Sequence, residues 1–355
     1  MHLDRLRAER LRSHRLSAPA TDVVAAARHM LATQAQEFWG GRWALAARTR
    51  GAVALRDVDA AFDQGDLVRS WTMRGTIHVI PARDLRWVLS VTGDRQLRAA
   101  AARHRGLGLD AETLARCEAA IVGALGGGGR LTRAELFEVL SGIGIDPKNQ
   151  RGVHVIYALA VTGVICQGPV VPREGGPTRE QYLVLADEWL TASDAPGDPL
   201  AELFVRYIDG HGPAGAADFA WWAGLPLGMA RQAAEASRDR LVEVDEGRFV
   251  APVRPRRSAA APDVIALPPF EEYFLSYADR STVCAPEFLS DVGPGSNGIV
   301  RPIIVARGEV AGVWMHSTAV GRHRDDPVPA LLAPDAATDA EVAAALARYA
   351  AFING

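Results

Sequence analysis

Three stretches of the chain repeat one order of apolar and polar positions, and the middle copy is the clearest. Residues 109–125 carry apolar positions at helical spacing and end at GGGG, residues 126–129. LTRAELFEVL follows, where Thr132 and Glu135 have the S/T-x-x-E spacing of a capping box, which satisfies free N–H groups at a helix start. After a turn at 142–147 comes the apolar run QRGVHVIYALAVTG. VICQGPVV and REQYLVL then read as the strands of a hairpin with a long tip, VPREGGPTRE. Helix, helix, helix, hairpin is the winged-helix plan.

The first copy occupies residues 21–81, with helices expected over 22–31, 42–49 and 55–64 and the hairpin LVRSWTMRGTIHVIP. The third begins at DPLAELFVRYIDGHG, runs through GAADFAWWAGL and PLGMARQAAEAS, and closes on the strands LVEVDE and RFVAP. ARDLRWVLSV and DRQLRAAAARHR read as two further helices between the first and second copies. Beyond the break APVRPRRSAAAPD the pattern turns to short strands, in VIALPPFEEYFLSY and IVRPIIVARGEVAGVWMH, before a last amphipathic helix, DAEVAAALARYAAF. Val310, Gly312 and Trp314 have the alternate spacing of a strand. The expected architecture is α+β: three tandem winged-helix units and a small C-terminal β-rich, barrel-like module. The segments are 1–108, 109–195, 196–257 and 258–355.

At 355 residues the chain holds about two domain lengths, or several small units. Its longest apolar runs, such as IYALAVTGVI, fall short of the roughly 20 residues of a membrane span, and its charged N-terminus has no apolar signal core. Three scattered cysteines (Cys117, Cys166, Cys284) argue for a reducing cytoplasm and against a disulfide framework or zinc site. The nine histidines show no H-x-x-x-H spacing, so no metal is expected. GGGG lacks a following GK[ST], so it is a loop and not a phosphate cradle.

The net charge of −3 conceals an asymmetry. Residues 1–110 carry 18 Arg against 11 Asp and Glu, a formal +7; residues 111–355 carry 21 Lys and Arg against 31 acids, a formal −10. A basic front end suits a polyanion partner, since clustered Arg neutralises phosphates; solvated helix faces account for it equally well. Lys148 is the sole lysine, which argues against Schiff-base chemistry.

In TQAQEF, residues 33–38, two glutamines flank one small residue where the first helix ends. Residues two apart on a helix point about 200° apart, whereas on an extended strand they share a face. If Gln34 and Gln36 serve one site, 33–37 must be extended, with Ala35 turned inward. From spacing alone, a polar surface turn is the simpler reading. A carboxamide both donates and accepts but stays neutral, so it can hold a water yet cannot act as a strong base. That suffices only for a good leaving group. A guanine alkylated at N7 is one: it leaves C1′ neutral from a cation, needs no general acid, and leaves an oxocarbenium-like sugar for an oriented water.

These segments carry a family resemblance. QAQ after an N-terminal helix, RGTIHVIPARDL, HGPAGAADFAWWAGL, LPPFEEYFLSYADR and NGIVRPIIVARGEVAGVW stand in order across nearly the whole chain. Together they resemble the winged-helix DNA glycosylases, in particular the Gln-x-Gln branch of the azinomycin-resistance glycosylase of antibiotic-producing actinomycetes. The resemblance implies three winged-helix units forming a concave scaffold around duplex DNA, with no cofactor or metal. It implies monofunctional excision of N7-alkylguanine, including bulky adducts and interstrand crosslinks, in repair or self-resistance. A sister branch has Asp in place of the second glutamine. By the same analogy Gln36 positions the attacking water and Gln34 sits beside C1′.

On a strand, Arg74, Thr76 and His78 alternate to one side and would face the DNA cleft; with Arg69 they fall in the basic front half. Arg173 and Arg179 would carry a wing that probes the duplex. Arg5, Arg7, Arg10, Arg12 and Arg15 spread over more than one face of the first helix. Phe219, Trp221 and Trp222 read as core, and the adjacent Glu271 and Glu272, facing opposite ways on a strand, as structural. The expected partner is duplex DNA bearing an alkylated guanine, engaged by a cytoplasmic monomer. A transcription regulator of winged-helix type, or a protein that sequesters the toxin itself, are the rival readings.

Overall fold

The computed structural model describes residues 1–191, 195–253, 256–259, 261–296 and 298–355. Parts of the break APVRPRRSAAAPD, the first residue of NGIVRPII and the segment before the third copy lie outside the described residues. The first region comprises α1 (Leu3–Ser13), α2 (Val23–Met30), β1 (Thr33–Gln34), α3 (Phe38–Ala47), α4 (Leu55–Asp63), β2 (Leu67–Met73) and β3 (Thr76–Pro81). A 22-residue helix, α5 (Leu85–Gly106), then leads to α6 (Ala111–Leu125), β4 (Arg130–Leu131), α7 (Arg133–Gly142), α8 (Arg151–Val161), β5 (Ile165–Val170), β6 (Gln181–Leu185) and the short α9 (Ala186–Trp189). The third copy is α10 (Pro199–His211), α11 (Ala216–Ala223), α12 (Leu227–Ala236), β7 (Val242–Asp245) and β8 (Arg248–Val250). Last come β9 (Val264–Leu267), α13 (Glu272–Leu275), α14 (Leu289–Val292), β10 (Ile303–Ala306), β11 (Glu309–Met315), β12 (Val328–Leu331) and α15 (Asp339–Asn354).

The local signals largely act as their chemistry dictates. Thr132 and Glu135 form the expected reciprocal cap on α7. The two helices expected between the first and second copies are one. Gly93 sits inside α5, where a Cβ would lie 2.5 Å from the Val161 carbonyl oxygen; the glycine lets α5 cross α8 closely.

The hairpins do not stand apart. β2–β3 and β5–β6 join edge to edge through Arg69 and Gln167, giving one six-stranded sheet of order β1-β3-β2-β5-β6-β4, while β7–β8 stay a separate pair. The C-terminal module is an open antiparallel sheet, β12-β11-β10-β9, and not the barrel expected. Among the described residues β9 pairs only with β10 and β12 only with β11, so the edges do not meet.

The apolar cores cut across the order of the chain. One joins Phe38, Trp43 and Phe62 of the first region to Ile303, Trp314, Tyr349 and Phe352 of the last. Trp43 and Trp314 each donate an indole N–H to a β9 carbonyl, Ala266 and Leu267, at 2.9 Å. A second core packs Val68, Ile80, Leu85 and Val88 against Phe204, Tyr207, Phe219 and Trp222 of the third copy. Each such side chain contributes about 1.5–3 kcal/mol on burial. The first region is thus clamped between the third copy and the C-terminal sheet. The middle copy has a core largely its own, around Ile121, Leu136, Val155 and Leu183.

Candidate functional site

Asp22 caps α2 by accepting from Ala25 N at 2.7 Å. The helix stops after Met30, where Leu31 takes a φ of 62° and turns the chain. The next residues run extended: Thr33 pairs with Val79, Gln34 pairs with His78, and Ala35 N donates to Ile77 O at 2.8 Å. Thr33 and Gln34 are therefore an edge strand of the large sheet, which Ala35 N extends by one bond before the chain bends at 36–37. Ala35 is buried, Gln36 is exposed, and Gln34 lies nearly covered at 6 % exposure.

The inward turn of Ala35 depends on Gly41 of α3. A Cβ on Gly41 would sit 2.4 Å from the Ala35 Cβ, so only glycine lets the helix close on this strand. Arg69 braces the strand from β2, its Nε donating to Ala35 O at 2.9 Å, one terminal nitrogen to Gln36 O at 3.4 Å and the other to Gln167 Oε1 at 2.8 Å. Its guanidinium also lies over the Phe38 ring, 5.0 Å from the centroid.

Both carboxamides meet the β2–β3 turn. Arg74 (φ 55°) and Gly75 (φ 69°) form the two-residue loop, a left-handed pair suited to hairpin twist. Arg74 donates to Gln34 Oε1 at 2.9 Å and to the Trp222 carbonyl. Ile77 N donates to Gln36 Oε1 at 3.2 Å. Since both partners are donors, the amide orientations follow: each oxygen faces the hairpin, with a second lone pair to spare, and each amino group is turned from that donor.

A buried glutamate holds Gln34 from behind. Glu272 Oε1 accepts from Gln34 N at 2.8 Å; Oε2 accepts from Trp222 Nε1 at 3.0 Å and Ser276 Oγ at 2.5 Å, and stands 3.6 Å from His211 Nε2. Burial pushes this carboxyl up, but His211 and Arg74 together outweigh it and hold the carboxyl well below its ordinary range. Its neighbour Glu271 makes a fully buried ion pair with Arg48 and caps α13 through Tyr273 N. The reading of 271–272 as a strand is corrected: Phe270 takes a φ of 57° and a helix begins at Glu272. PPFEEYFL carried the signal, because acids following proline mark a helix start.

The remaining expected residues fall in three places. Arg74 joins the glutamines. Arg69 and His78 are buried, at 7 % and 0 % exposure, so the structure places them beneath the strand as supports and not on a DNA-facing surface. His78 pairs with Gln34 across the sheet, and Trp222 of α11 and Glu272 of α13 close over this region. Burial lowers His78 to about 3, with Arg74 adding to the shift, so its ring is neutral; Nδ1 meets Thr72 Oγ1 at 2.9 Å. Arg173 and Arg179 are exposed on the β5–β6 tip, which packs by Gly175 and Gly176 near Val320 and His323; Arg173 donates to Pro177 O within its own hairpin.

The α1 arginines are mostly spent on the protein. Arg7 bonds Thr282 O and Glu309, and Arg10 covers Tyr277 at 3.5 Å. Arg95, Arg98 and Arg105, which drew no notice in the sequence, share one exposed face of α5 with Ala99 and Ala102, and Arg95 Nε donates to Gly224 O beside Arg74. Phe219 and Trp222 are core as expected, while Trp221 is exposed.

The model of the family described as DNA glycosylase AlkZ-like matches residues 27–352. The chain belongs to that family. It is a DNA glycosylase, a hydrolase of N-glycosyl bonds acting on DNA, and the regulator reading is set aside. An interstrand DNA cross-link repair glycosylase of Streptomyces sahachiroi is 28 % identical over 263 residues, 70 % of each chain. The solved structure of the Streptomyces sahachiroi DNA glycosylase AlkZ has the same fold, with a TM-score of 0.76 at 22 % identity over 99 % of this chain and 98 % of that one. Among the described residues no helix is long and apolar enough to cross a membrane.

Proposed function

We propose that the protein excises N7-alkylated guanines from duplex DNA, bulky adducts and interstrand crosslinks included, in DNA repair or self-resistance to a genotoxic natural product. It leaves an abasic site and needs no metal or cofactor. The observation that carries this reading is the Gln34-Ala35-Gln36 segment at the sheet edge, both carboxamides bonded to the β2–β3 hairpin and Gln36 open to solvent. Gln36 holds the water, and Gln34 bonds the sugar-phosphate near C1′. The water oxygen attacks C1′ as the C1′–N9 bond breaks with its electron pair going to N9; the base leaves neutral and the water proton passes to solvent. Two neutral amides suffice because the lesion supplies the positive charge.

Two further observations support the substrate class. A cleft of about 570 Å³ beside Arg74, lined by Trp71, Arg95, His154 and Tyr157, offers room for a bulky substituent. The Arg95–Arg98–Arg105 face leads away from it as a track for backbone phosphate. We read the three helix–helix–helix–hairpin segments as winged-helix units, bounded near residues 108, 195 and 257, that embrace the duplex as a cytoplasmic monomer, with Arg173 and Arg179 on the probing wing. The cross-link repair named for the Streptomyces sahachiroi relative agrees with this substrate class.

The test is release of N7-methylguanine, and of one bulky N7-guanine adduct, from duplex DNA by the wild type and by a folded Gln34→Ala/Gln36→Ala variant. Release by the wild type alone is expected. Equal release by the variant removes the chemistry from these glutamines, and no release of either base overturns the substrate class.

A further inference from the structure

Glu272 is a fully buried acid that accepts from three donors and has no part in the hydrolysis as described. Its side chain is completely covered, and it reaches Gln34 across 238 residues of sequence. Burying a carboxylate is costly, and an apolar side chain of similar volume generally serves packing as well or better. A charge kept at this point calls for a task that packing cannot do.

The hydrogen bonds around it close on themselves. Glu272 accepts from the Gln34 backbone; the Gln34 carboxamide oxygen accepts from Arg74; Arg74 donates to the Trp222 carbonyl; and the Trp222 indole donates back to Glu272. This ring fixes Gln34 at both ends, main chain and side chain. Its carboxamide oxygen is turned toward Arg74 and its amino group away. Ser276 fills the remaining acceptor capacity on Oε2, so the carboxylate has no freedom to swing out of the ring.

We propose that Glu272 is the positioning residue of the glutamine strand: it acts through Gln34, holding that residue extended and presenting its amino group as a hydrogen-bond donor to the DNA. The proposal rests on the reading of the glutamines as the hydrolytic pair. A strand of two residues at a sheet edge has little ladder of its own to hold it, with only Thr33 and Gln34 registered on β3. The anionic acceptor supplies what the ladder lacks, since hydrogen bonds to ionised groups are the strong ones. Glutamine at 272 would keep the shape but offer one acceptor oxygen where three donors converge, and its amino group would face a donor.

Single-turnover base release and DNA affinity are to be measured on one duplex for wild type, Glu272→Gln, Glu272→Asp and Gln34→Ala. Glu272→Gln is expected to slow release about 10- to 100-fold, the loss of one charge-assisted hydrogen bond, with Kd within about twofold. Aspartate keeps the charge but is one methylene short, so an intermediate rate is expected. In a Gln34→Ala background Glu272→Gln should cost less than about threefold more, because residues acting through one another are not additive.

A folded Glu272→Gln protein releasing base at the wild-type rate overturns the proposal. Equal slowing with and without Gln34 also overturns it, since that is what a general loss of structure produces. If Glu272→Gln does not fold, a folded Glu272→Asp at the wild-type rate decides against it in the same way. Wild-type release that survives Gln34→Ala/Gln36→Ala defeats the glutamine reading itself and this proposal with it. Release that needs the glutamines but ignores residue 272 defeats only the positioning.

Discussion

Gly41→Ala alters the site without touching a polar atom. The new methyl group would lie 2.4 Å from the Ala35 Cβ, 3.2 Å from its Cα and 3.4 Å from Val79 Cγ2. Ordinary carbon contact begins near 3.4 Å, so strand and helix must part by about 1.0 Å. Helix α3 and its Trp43 are anchored in the shared core, whereas the strand is held mainly by hydrogen bonds, so the strand is expected to yield. Overpacking of this kind costs about 1–3 kcal/mol, offset by about 1 kcal/mol because alanine favours a helix over glycine. The net loss of stability is therefore about 0–2 kcal/mol, and the protein stays folded. A displacement of this size at a reacting group costs on the order of 100-fold in rate. The assay is single-turnover release beside a thermal melt, with Ala35→Gly/Gly41→Ala as the compensating pair. Release in the pair should return to within about fivefold of Ala35→Gly alone. A folded Gly41→Ala protein releasing base at the wild-type rate would refute the claim that Ala35 sets the glutamines.

Replacing Arg95, Arg98 and Arg105 of α5 together by alanine should weaken binding to undamaged and damaged duplex alike and flatten the log K against log[salt] slope by about 2.7, at about 0.9 per phosphate lost; an unchanged slope removes this face from the interface. His78 sets an acid limit on stability. Its folded value near 3 lies below the ordinary 6.5, so below about pH 6.5 the unfolded chain takes up a proton that the folded one refuses. Stability is therefore lost as pH falls from 6.5 toward 3, by about 1.4 kcal/mol per unit and about 2 kcal/mol by pH 5. Urea melts at pH 7 and pH 5 should show this loss in the wild type and a shallower dependence in His78→Asn, and equal dependence in both would refute it. Glu272, depressed below its ordinary range, adds a further loss that begins lower, as pH falls through the usual carboxylate range.

Local order was legible in the sequence because capping, periodicity and turn chemistry act over a few residues. The capping box at Thr132 and Glu135 lies where its spacing put it, and Ala35 is buried as expected, but the strand covers only Thr33–Gln34 and the chain bends at 36–37. What spacing cannot supply is which face of a strand another element will cover. Arg69 and His78 sit on the strands expected, but neighbours distant in sequence cover both. Glu272 was hidden for the same reason, since nothing near it in the chain points to Gln34. The β-rich module was legible but its barrel-like form was not, because alternation predicts strands and not the pairing of the outermost two. The arginines of α5 lie in a segment correctly read as helical, but spacing alone does not say which helix face stays exposed.

The core that joins the first region to the last has a consequence for synthesis. Gln34 leaves the ribosome early, and Glu272 follows 238 residues later. At about 5–20 residues per second that interval is roughly 12–48 seconds. During it the C-terminal sheet that receives Trp43 does not yet exist. A nascent or prematurely terminated chain carries both glutamines but neither the acid that pins them nor the sheet that carries them. On the reading proposed above, such a fragment lacks the frame that sets its glutamines, and the enzyme completes that frame only when its final quarter folds back onto its beginning.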